Sequence, residues 1–376
     1  MKNNILSFLL IILILGIIGG MVYFFAQYMG IDTANIISLV VGTNEVSNET
    51  IKPIEPTAGT SNTLLSSQVE QIQQNTQTTE VQPTTTSGKY KYYFDQLDAN
   101  AKTIYSAVES NIENLKTGTA EIDFGEEFNS LLNSDQGKEK LNVAYQAALD
   151  AFTLDYPEVF YIDVTKMVLM IYSKTNILGT KYTVKIEPAN DGSYLIRGFN
   201  SKSDVDNALN SLENIKNDIV NQVANDDKYT KIKKIHDFLV DYIEYDTSME
   251  RLNTRNIYGA LVEKSVVCEG YAEAFKYLMD AVEIPCVEIV GTGTNSVGQT
   301  ESHAWNYVLL HNMWYAVDVT WDDPTIIGNG TIPKTTKTRY FLKGATEFNK
   351  THFSNGQVSE GGIVFTYPDL STTDYE

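Results

Sequence analysis

Three residue types that together support nucleophilic catalysis occur in the second half of this chain. Cys268 lies in the run Ser265–Ala272, His303 precedes Ala-Trp-Asn, and Asp318 precedes Val-Thr-Trp-Asp. A thiolate attacks a carbonyl carbon, an imidazole exchanges the proton, and a carboxylate orients the imidazole. The trio therefore predicts acyl transfer by a cysteine nucleophile, provided that the fold brings the three side chains together.

The spacing after Cys268 predicts a helix that begins at this residue. Ala272, Phe275, Leu278 and Val282 fall on one helical face, with the sulfur at its N-terminal end. The first turn of a helix has unpaired N–H groups and the positive end of the macrodipole, and both favour a thiolate. The alternative is a buried structural cysteine, a common fate of free cysteines.

The second cysteine, Cys286, is a candidate disulfide partner that geometry disfavours. A helix from Cys268 to Val282 places its ends about 21 Å apart, and four extended residues return at most about 14 Å. The remaining ~7 Å is at the limit for a disulfide. We therefore expect Cys268 to be free and Cys286, after Pro285, to pack at the start of a short apolar strand.

Two aromatic and β-branched runs, Ser302–Leu310 and Met313–Thr320, predict a hairpin with a two-residue loop. Its register places Trp305 opposite Asp318, so His303 and Asp318 are diagonal neighbours on one face. Asp318 can then accept a hydrogen bond from the ring. A slip of one residue would separate the two side chains, which leaves a packing histidine and a solvated aspartate as the alternative.

The other histidines are weaker candidates. His236 lies on the apolar face of a predicted helix and is expected to be a satisfied core residue. His311 falls in the predicted turn, and His352 in a late loop. Since neither an HExxH pattern nor paired Cys-x-x-Cys motifs occur, the sequence predicts no metal site, and we expect no cofactor.

The remaining pattern from residue 89 onward predicts an α+β fold. Two amphipathic helices are followed by short strands at Met167–Tyr172, Lys181–Ile186 and Ser193–Gly198, the last two joined by a turn. A capping box at Ser203 and Asp206 then predicts the start of another helix.

The N-terminal part differs in composition. Ile5–Ala26 carries no charge and is long enough to cross a membrane as a helix. We interpret it as an uncleaved anchor, with a cleaved signal peptide as the alternative. Lys2 places the N-terminus in the cytoplasm. The predicted division is an anchor over 1–30, a flexible linker over 31–88, a helical and strand region over 89–200, and a catalytic core over 201–376. A net charge of -20 argues against nucleic acid as a partner.

Several segments resemble the transglutaminase-like superfamily, and more narrowly the extracytoplasmic transglutaminase-like proteins of low-GC Gram-positive bacteria. The resemblance is strongest over about residues 228–340. The matching segments are Asp155–Phe160, Ile235–Leu239, Tyr258–Leu261, Val267–Ala272, His303–Asn306 and Trp314–Asp323.

The resemblance implies a papain-like α+β core with Cys268 as nucleophile, His303 as base and acid, and Asp318 as the orienting residue. It also implies an oxyanion pocket that contains the Cys268 N–H, with Tyr258 as a candidate second donor. The family includes protein cross-linkers, peptidases, amidases and members with no known activity.

We therefore expect a single-pass cell-membrane protein with an extracellular catalytic domain. It would transfer acyl groups from amides through a thioester, with protein or cell-wall peptide substrates. The alternatives are a membrane-tethered cysteine peptidase or amidase, and a catalytically silent surface binding module.

Overall fold

The computed structural model describes residues 46–53, 89–190, 192–323, 337–359 and 362–376. The chain folds into mixed helices and strands, so the predicted α+β class is confirmed. The helices are α1 Ala99–Ser110, α2 Ile112–Leu115, α3 Asn129–Leu132, α4 Gly137–Asp155, α5 Lys202–Val223, α6 Lys228–Tyr242, α7 Cys268–Ala281 and α8 Ala345–Phe348. The strands are β1 Val46–Ile51, β2 Ile122–Gly125, β3 Met167–Asn176, β4 Gly179–Pro188, β5 Glu244–Tyr245, β6 Ser265–Val266, β7 Cys286–Thr294, β8 Thr300–Leu310, β9 Met313–Val317 and β10 His352–Ser354.

The strands form two four-stranded antiparallel sheets and one short parallel pair. The first sheet has the order β1-β3-β4-β2, and the second has the order β10-β7-β8-β9. The short pair joins β5 to β6, immediately before α7. Helix α7 packs against β7 and β8 and against α6. The second sheet and α7 therefore carry the predicted site residues.

The first sheet corrects the prediction for residues 167–198. Strands β3 and β4 pair directly along their whole length, and β2 occupies the other edge of β4. The predicted strand Ser193–Gly198 is not formed, because β2 and β3 already pair with the two edges of β4. Only Leu195 forms an isolated bridge, with Ile162.

The start of α5 also differs from the prediction. The N-cap is Ser201, whose Oγ accepts from the N–H of Asp204 at 3.2 Å. The Asp204 carboxylate accepts in turn from the N–H of Asn200 at 2.9 Å. The predicted capping box at Ser203 and Asp206 therefore lies two residues C-terminal to the observed one. Ser201 and Asp204 form the hydrogen bonds to the backbone N–H groups at the helix start instead.

The predicted linker contains a paired segment. Strand β1, Val46–Ile51, pairs with β3 with Ile51 opposite Leu169. Six residues of the predicted linker over 31–88 therefore form a paired strand. The predicted span Ile5–Ala26 and most of the linker lie outside the described residues. In the part of the chain that the structure describes, no helix is long and apolar enough to cross a membrane.

The buried apolar side chains of residues 89–200 and 201–376 belong to one connected core. Buried hydrogen bonds join the two regions as well. The Tyr93 hydroxyl donates to the carbonyl oxygen of Glu288 on β7. The Ser359 hydroxyl donates to the carboxylate of Asp150 on α4 at 2.6 Å. The N-terminal region thus packs directly against β7.

The β8–β9 hairpin has the predicted register. Its two loop residues have positive φ, 50° at His311 and 62° at Asn312, as in the turn type that suits tight hairpins. Leu310 lies opposite Met313, and pairing ends with Asn306 opposite Val317.

The second strand of the hairpin is shorter than predicted, because the chain turns at Asp318 instead of pairing as far as Thr320. The Asp318 carboxylate accepts from the N–H of Trp321 at 3.1 Å. The Asp318 N–H donates to the carbonyl oxygen of Tyr340 at 3.2 Å. These two bonds replace the ladder bonds that a longer strand would make.

Candidate active site

Cys268 occupies the first position of α7, as predicted. Val267 caps the helix with extended backbone (φ -94°, ψ -176°) and gives no side-chain hydrogen bond to it. The N–H groups of the first turn therefore remain available to a ligand or to the sulfur. Both Cys268 and Cys286 are free thiols, Cys268 partly exposed and Cys286 buried. The predictions of a free Cys268 and a packing Cys286 are confirmed.

His303 and Asp318 meet in a buried hydrogen bond. Nε2 of His303 lies 2.7 Å from Oδ2 of Asp318, and both side chains are almost fully buried. Because a carboxylate only accepts, Nε2 carries the hydrogen. The Cys268 side chain is near enough to contribute to the raised pKa of the His303 ring. With Nε2 engaged, Nδ1 is the ring nitrogen left for Cys268.

The electrostatics of this cluster favour an ion pair. Burial alone would lower the pKa of His303, but the charge and hydrogen bond of Asp318, together with Cys268, raise it to about 10. Burial would raise the pKa of Asp318, but His303 and His352 hold it well below its usual range. Near neutral pH the ring therefore carries a proton and the carboxylate a negative charge.

Sequence reasoning missed His352, which it placed in a late loop. His352 opens β10, is buried, and places Nε2 3.0 Å from the same Oδ2 of Asp318. Its ring lies 5.6 Å from the His303 ring between centroids. No local pattern identifies this residue, because β10 pairs with β7 only in the folded chain. The Asp318 carboxylate is thus bonded to two histidines.

Among the described residues, His303, Asp318 and His352 each offer one ligand atom, and these atoms lie within 4.8 Å of one another, so this group could hold a metal ion. Nε2 of each histidine is already engaged in a hydrogen bond to Asp318. A divalent cation bound through these atoms would have to replace both of those protons.

A glycine makes room for the stack that fixes the His303 ring. The ring stacks on Trp321 with 4.9 Å between centroids and 25° between planes. A Cβ at Gly293 on β7 would lie 2.8 Å from the Trp321 ring and 3.2 Å from Cδ2 of His303. The absence of a side chain at Gly293 therefore permits this packing.

Two hydrogen bonds tie α7 to the strands and the turn that carry the other site residues. The side-chain amide of Asn306 on β8 donates to the Ala272 carbonyl oxygen at 3.0 Å. The Tyr271 hydroxyl donates to Asp323 at 2.6 Å. Each bond lies within one helical turn of Cys268, so together they fix the helix relative to His303 and Asp318.

Tyr258, the predicted second oxyanion donor, packs in an aromatic cluster. Its half-buried ring stacks on Phe160 at 5.6 Å and meets Phe199 edge-on at 5.6 Å. Among the described residues, no recorded hydrogen bond joins its hydroxyl to Cys268 or His303. The oxyanion role of Tyr258 stays a prediction.

A different tyrosine, Tyr245, lies beside Cys268. It pairs with Val266, two residues before Cys268, and its ring stacks on Tyr271, three residues after it, at 6.5 Å. Burial first, and then the nearby Cys268, raise the pKa of Tyr245 to about 12. Its hydroxyl thus keeps its proton at neutral pH and can donate it. No local sequence pattern indicates this proximity.

His236 is buried and satisfied, as predicted. Nε2 lies 3.1 Å from Oδ2 of Asp322, and Nδ1 lies 3.0 Å from Oδ1 of Asp237. Burial would lower its pKa, but the two carboxylates outweigh burial and raise it. Because Asp322 follows the Asp318 turn, this contact anchors the turn to α6.

Comparisons with known proteins identify this part of the chain. Residues 215–319, which include Cys268, His303 and Asp318, match the family described as the transglutaminase-like superfamily, Transglut_core. The resemblance to that superfamily is therefore confirmed over this segment.

The matched relatives are much longer than the aligned segments. Mouse kyphoscoliosis peptidase is 27% identical over 145 residues, which cover 34% of this chain and 21% of that protein. The human protein is 24% identical over 168 residues, which cover 40% of this chain and 24% of the relative. The chain thus spans less than a quarter of these relatives.

Among solved structures, the periplasmic domain of TgpA from Pseudomonas aeruginosa is 15% identical, with a TM-score of 0.24. The match covers 43% of this chain and 62% of that one. A crystal structure described as a TGase is 14% identical, with a TM-score of 0.25, over 46% of this chain and 48% of that one.

The His236 cluster predicts a specific pH dependence of stability. A group whose pKa is raised on folding stabilises the fold below its unfolded pKa and loses that contribution as pH rises through the folded pKa. We expect His236→Gln to lower the free energy of unfolding most below about pH 6.5 and progressively less at higher pH. Urea melts at a series of pH values measure this.

The matched control is His311→Gln, because His311 is exposed in the hairpin turn. We expect that variant to show no such dependence. A destabilisation by His236→Gln that is constant from acid to alkaline pH would contradict a charged His236.

Proposed function

We propose that this chain is a cell-surface, transglutaminase-like cysteine enzyme that transfers acyl groups from amides through a thioester. The observation that supports the proposal best is the arrangement of the trio. Nε2 of His303 is fixed on Asp318 at 2.7 Å, which leaves Nδ1 for a partly exposed thiol at a helix N-terminus. An activated cysteine nucleophile requires a base that is oriented by a third group in this way.

The first half of the reaction forms the acyl-enzyme. The Cys268 thiolate attacks the carbonyl carbon of an amide, a C–S bond forms, and the carbonyl oxygen gains negative charge. His303, protonated at Nδ1, gives this proton to the nitrogen as the C–N bond breaks. An amine departs, a thioester remains on Cys268, and the His303 ring is neutral.

The second half resolves the thioester. An incoming amine or water loses a proton to Nδ1 of His303 as it attacks the thioester carbonyl, and the C–S bond breaks. The Cys268 thiolate and the protonated His303 ring are restored. A lysine amine as the acceptor gives an isopeptide cross-link, whereas water gives amide hydrolysis.

The developing oxyanion needs hydrogen-bond donors. The N–H of Cys268 lies in the first turn of α7, where backbone donors have no partner within the helix. We propose Tyr245 as the second donor. Its two partners, Val266 by strand pairing and Tyr271 by ring stacking, flank Cys268 in the sequence, so Tyr245 lies close to the sulfur.

Hydrolysis is the second candidate function. The mouse and human relatives are both named peptidases, and the same trio serves either outcome. A binding module without catalytic activity is a less favoured proposal. Such a module would not need a buried histidine and aspartate pair together with an accessible thiol.

We also propose that the catalytic part lies outside the cell on a membrane anchor, because Ile5–Ala26 carries no charge over a membrane-spanning length. We expect the full-length chain to stay in the membrane fraction after an alkaline carbonate wash, and to be degraded by protease added to intact cells. Protection from that protease, with degradation only after lysis, would contradict an external catalytic part.

The enzyme proposal predicts that turnover depends on Cys268 alone of the two thiols. We expect the full-length protein to incorporate a labelled primary amine into glutamine-containing proteins, or to release free acid from amides. Cys268→Ala should abolish both reactions, and Cys286→Ala, which changes a buried packing residue, should retain them. Activity that survives in Cys268→Ala would contradict the proposal.

The two tyrosine candidates predict opposite outcomes. Losing one oxyanion donor costs about 100- to 1000-fold in kcat. We expect Tyr245→Phe to lower kcat in that range with little change in KM, and Tyr258→Phe to leave kcat near the wild-type value. A large loss of kcat in Tyr258→Phe, with kcat retained in Tyr245→Phe, would instead support Tyr258 as the oxyanion donor.

A further inference from the structure

We propose that His352 is a positioning residue of the acyl-transfer site. It acts through Asp318, by fixing the direction of the carboxylate and by sharing the negative charge of the oxygen that holds His303. This inference rests on the proposed function and adds a fourth side chain to the predicted trio.

The His352 ring is held by packing as well as by pairing. Its backbone lies opposite Gly293 where β10 pairs with β7. The ring stacks on Phe348 with 3.9 Å between centroids and 15° between planes, and it meets Trp321 at 4.5 Å. A ring enclosed on these sides has little freedom to rotate, so the direction of its Nε2 is fixed.

His352 donates to Asp318 through Nε2. Oδ2 of Asp318 accepts from Nε2 at 3.0 Å, and Nδ1 lies 2.9 Å from the Thr351 hydroxyl. A carboxylate offers no proton, so Nε2 carries the hydrogen. Burial first, and then repulsion from His303, lower the pKa of His352 despite Asp318.

Together, three donors fix the orientation of the Asp318 carboxylate. Oδ2 accepts from His303 at 2.7 Å and from His352, and Oδ1 accepts from the N–H of Trp321 at 3.1 Å. Two donors on one oxygen divide its negative charge. Without His352, more of that charge would act on His303 while the carboxylate lost one of its three donors.

The consequence concerns proton return in the acyl-transfer step. A general acid works best when its pKa lies near the working pH. His303, whose pKa is already raised to about 10, would hold its proton still more tightly if Asp318 acted on it alone. We therefore expect the loss of His352 to slow the proton transfer to the departing amine.

The titratable groups that face this cluster are few among the described residues. Cys268 from α7 interacts with His303, and Tyr245 from β5 senses both Cys268 and Asp318. Tyr340 and Asp322 interact with Asp318 from the turn and the segment that follows it. These groups stay unchanged in the variants below, so a shift in the His303 titration reports on His352.

The test compares His352→Gln with His352→Phe in the detergent-solubilised full-length chain. Glutamine keeps an N–H donor near the position of Nε2, and phenylalanine keeps the stack on Phe348 but removes the donor. The readouts are kcat and KM for labelled-amine incorporation or amide hydrolysis, the titration of His303 followed by NMR of ¹⁵N-labelled histidine, and the circular dichroism spectrum.

We expect His352→Phe to lower kcat by about 10- to 100-fold with KM nearly unchanged, because a misdirected base slows chemistry more than binding. The His303 titration should move to higher pH in that variant. His352→Gln should keep kcat within about threefold of wild type, with the His303 titration unmoved.

Two results would overturn the proposal. One is a folded His352→Phe variant with wild-type kcat and wild-type His303 titration. The other is an equal loss of activity in both variants that follows a loss of folded protein, which would make His352 a packing residue only. If the wild-type chain turns over no substrate, the proposed function fails, but the NMR titration still decides the role of His352.

Discussion

The position of every proposed reacting group depends on one buried carboxylate, that of Asp318. A buried charge is costly unless it is paired and hydrogen-bonded. Asp318 is fully buried, and its three donors are His303, His352 and the backbone of Trp321. These donors come from β8, β10 and the turn after β9. The carboxylate is satisfied only when those three pieces of chain meet, so its burial fixes the base in place.

The proposed nucleophile, Cys268, is held by the same elements. Asn306, which bonds to the carbonyl oxygen of Ala272, lies three residues after His303 on β8, and Asp323, which bonds to Tyr271, follows the Asp318 turn. A displacement of about 1 Å between reacting groups can cost on the order of 100-fold in rate. Because the strand and the turn that carry the base and its partner also bond to α7, a shift in either one moves the sulfur with it.

Sequence reasoning succeeded where a feature depends on nearby residues. The start of α7 follows from apolar periodicity, and the hairpin register follows from a two-residue turn, so the bond between His303 and Asp318 could be predicted. It failed where distant segments meet. His352 is 34 residues from Asp318, and Tyr245 reaches Cys268 only through the β5–β6 pair. At the start of α5 the sequence contains two overlapping Ser-x-x-Asp patterns, one beginning at Ser201 and one at Ser203. The folded backbone shows that Ser201 is the N-cap.

In the proposed reaction, the choice between an amine and water as the acceptor depends on the solvent-exposed side of the site. His303, Asp318 and His352 are buried, whereas Cys268 is partly exposed. Two exposed features lie close to Cys268 along the chain or through the β5–β6 pair: Tyr245, which is 38% exposed, and the ion pair between Arg255 and Glu269 at 3.1 Å. In the proposed reaction, His303 is neutral after the first amine departs and accepts a proton from either nucleophile. Under this proposal the trio serves both outcomes equally, and the shape and charge of the surface around Cys268 would select the acceptor.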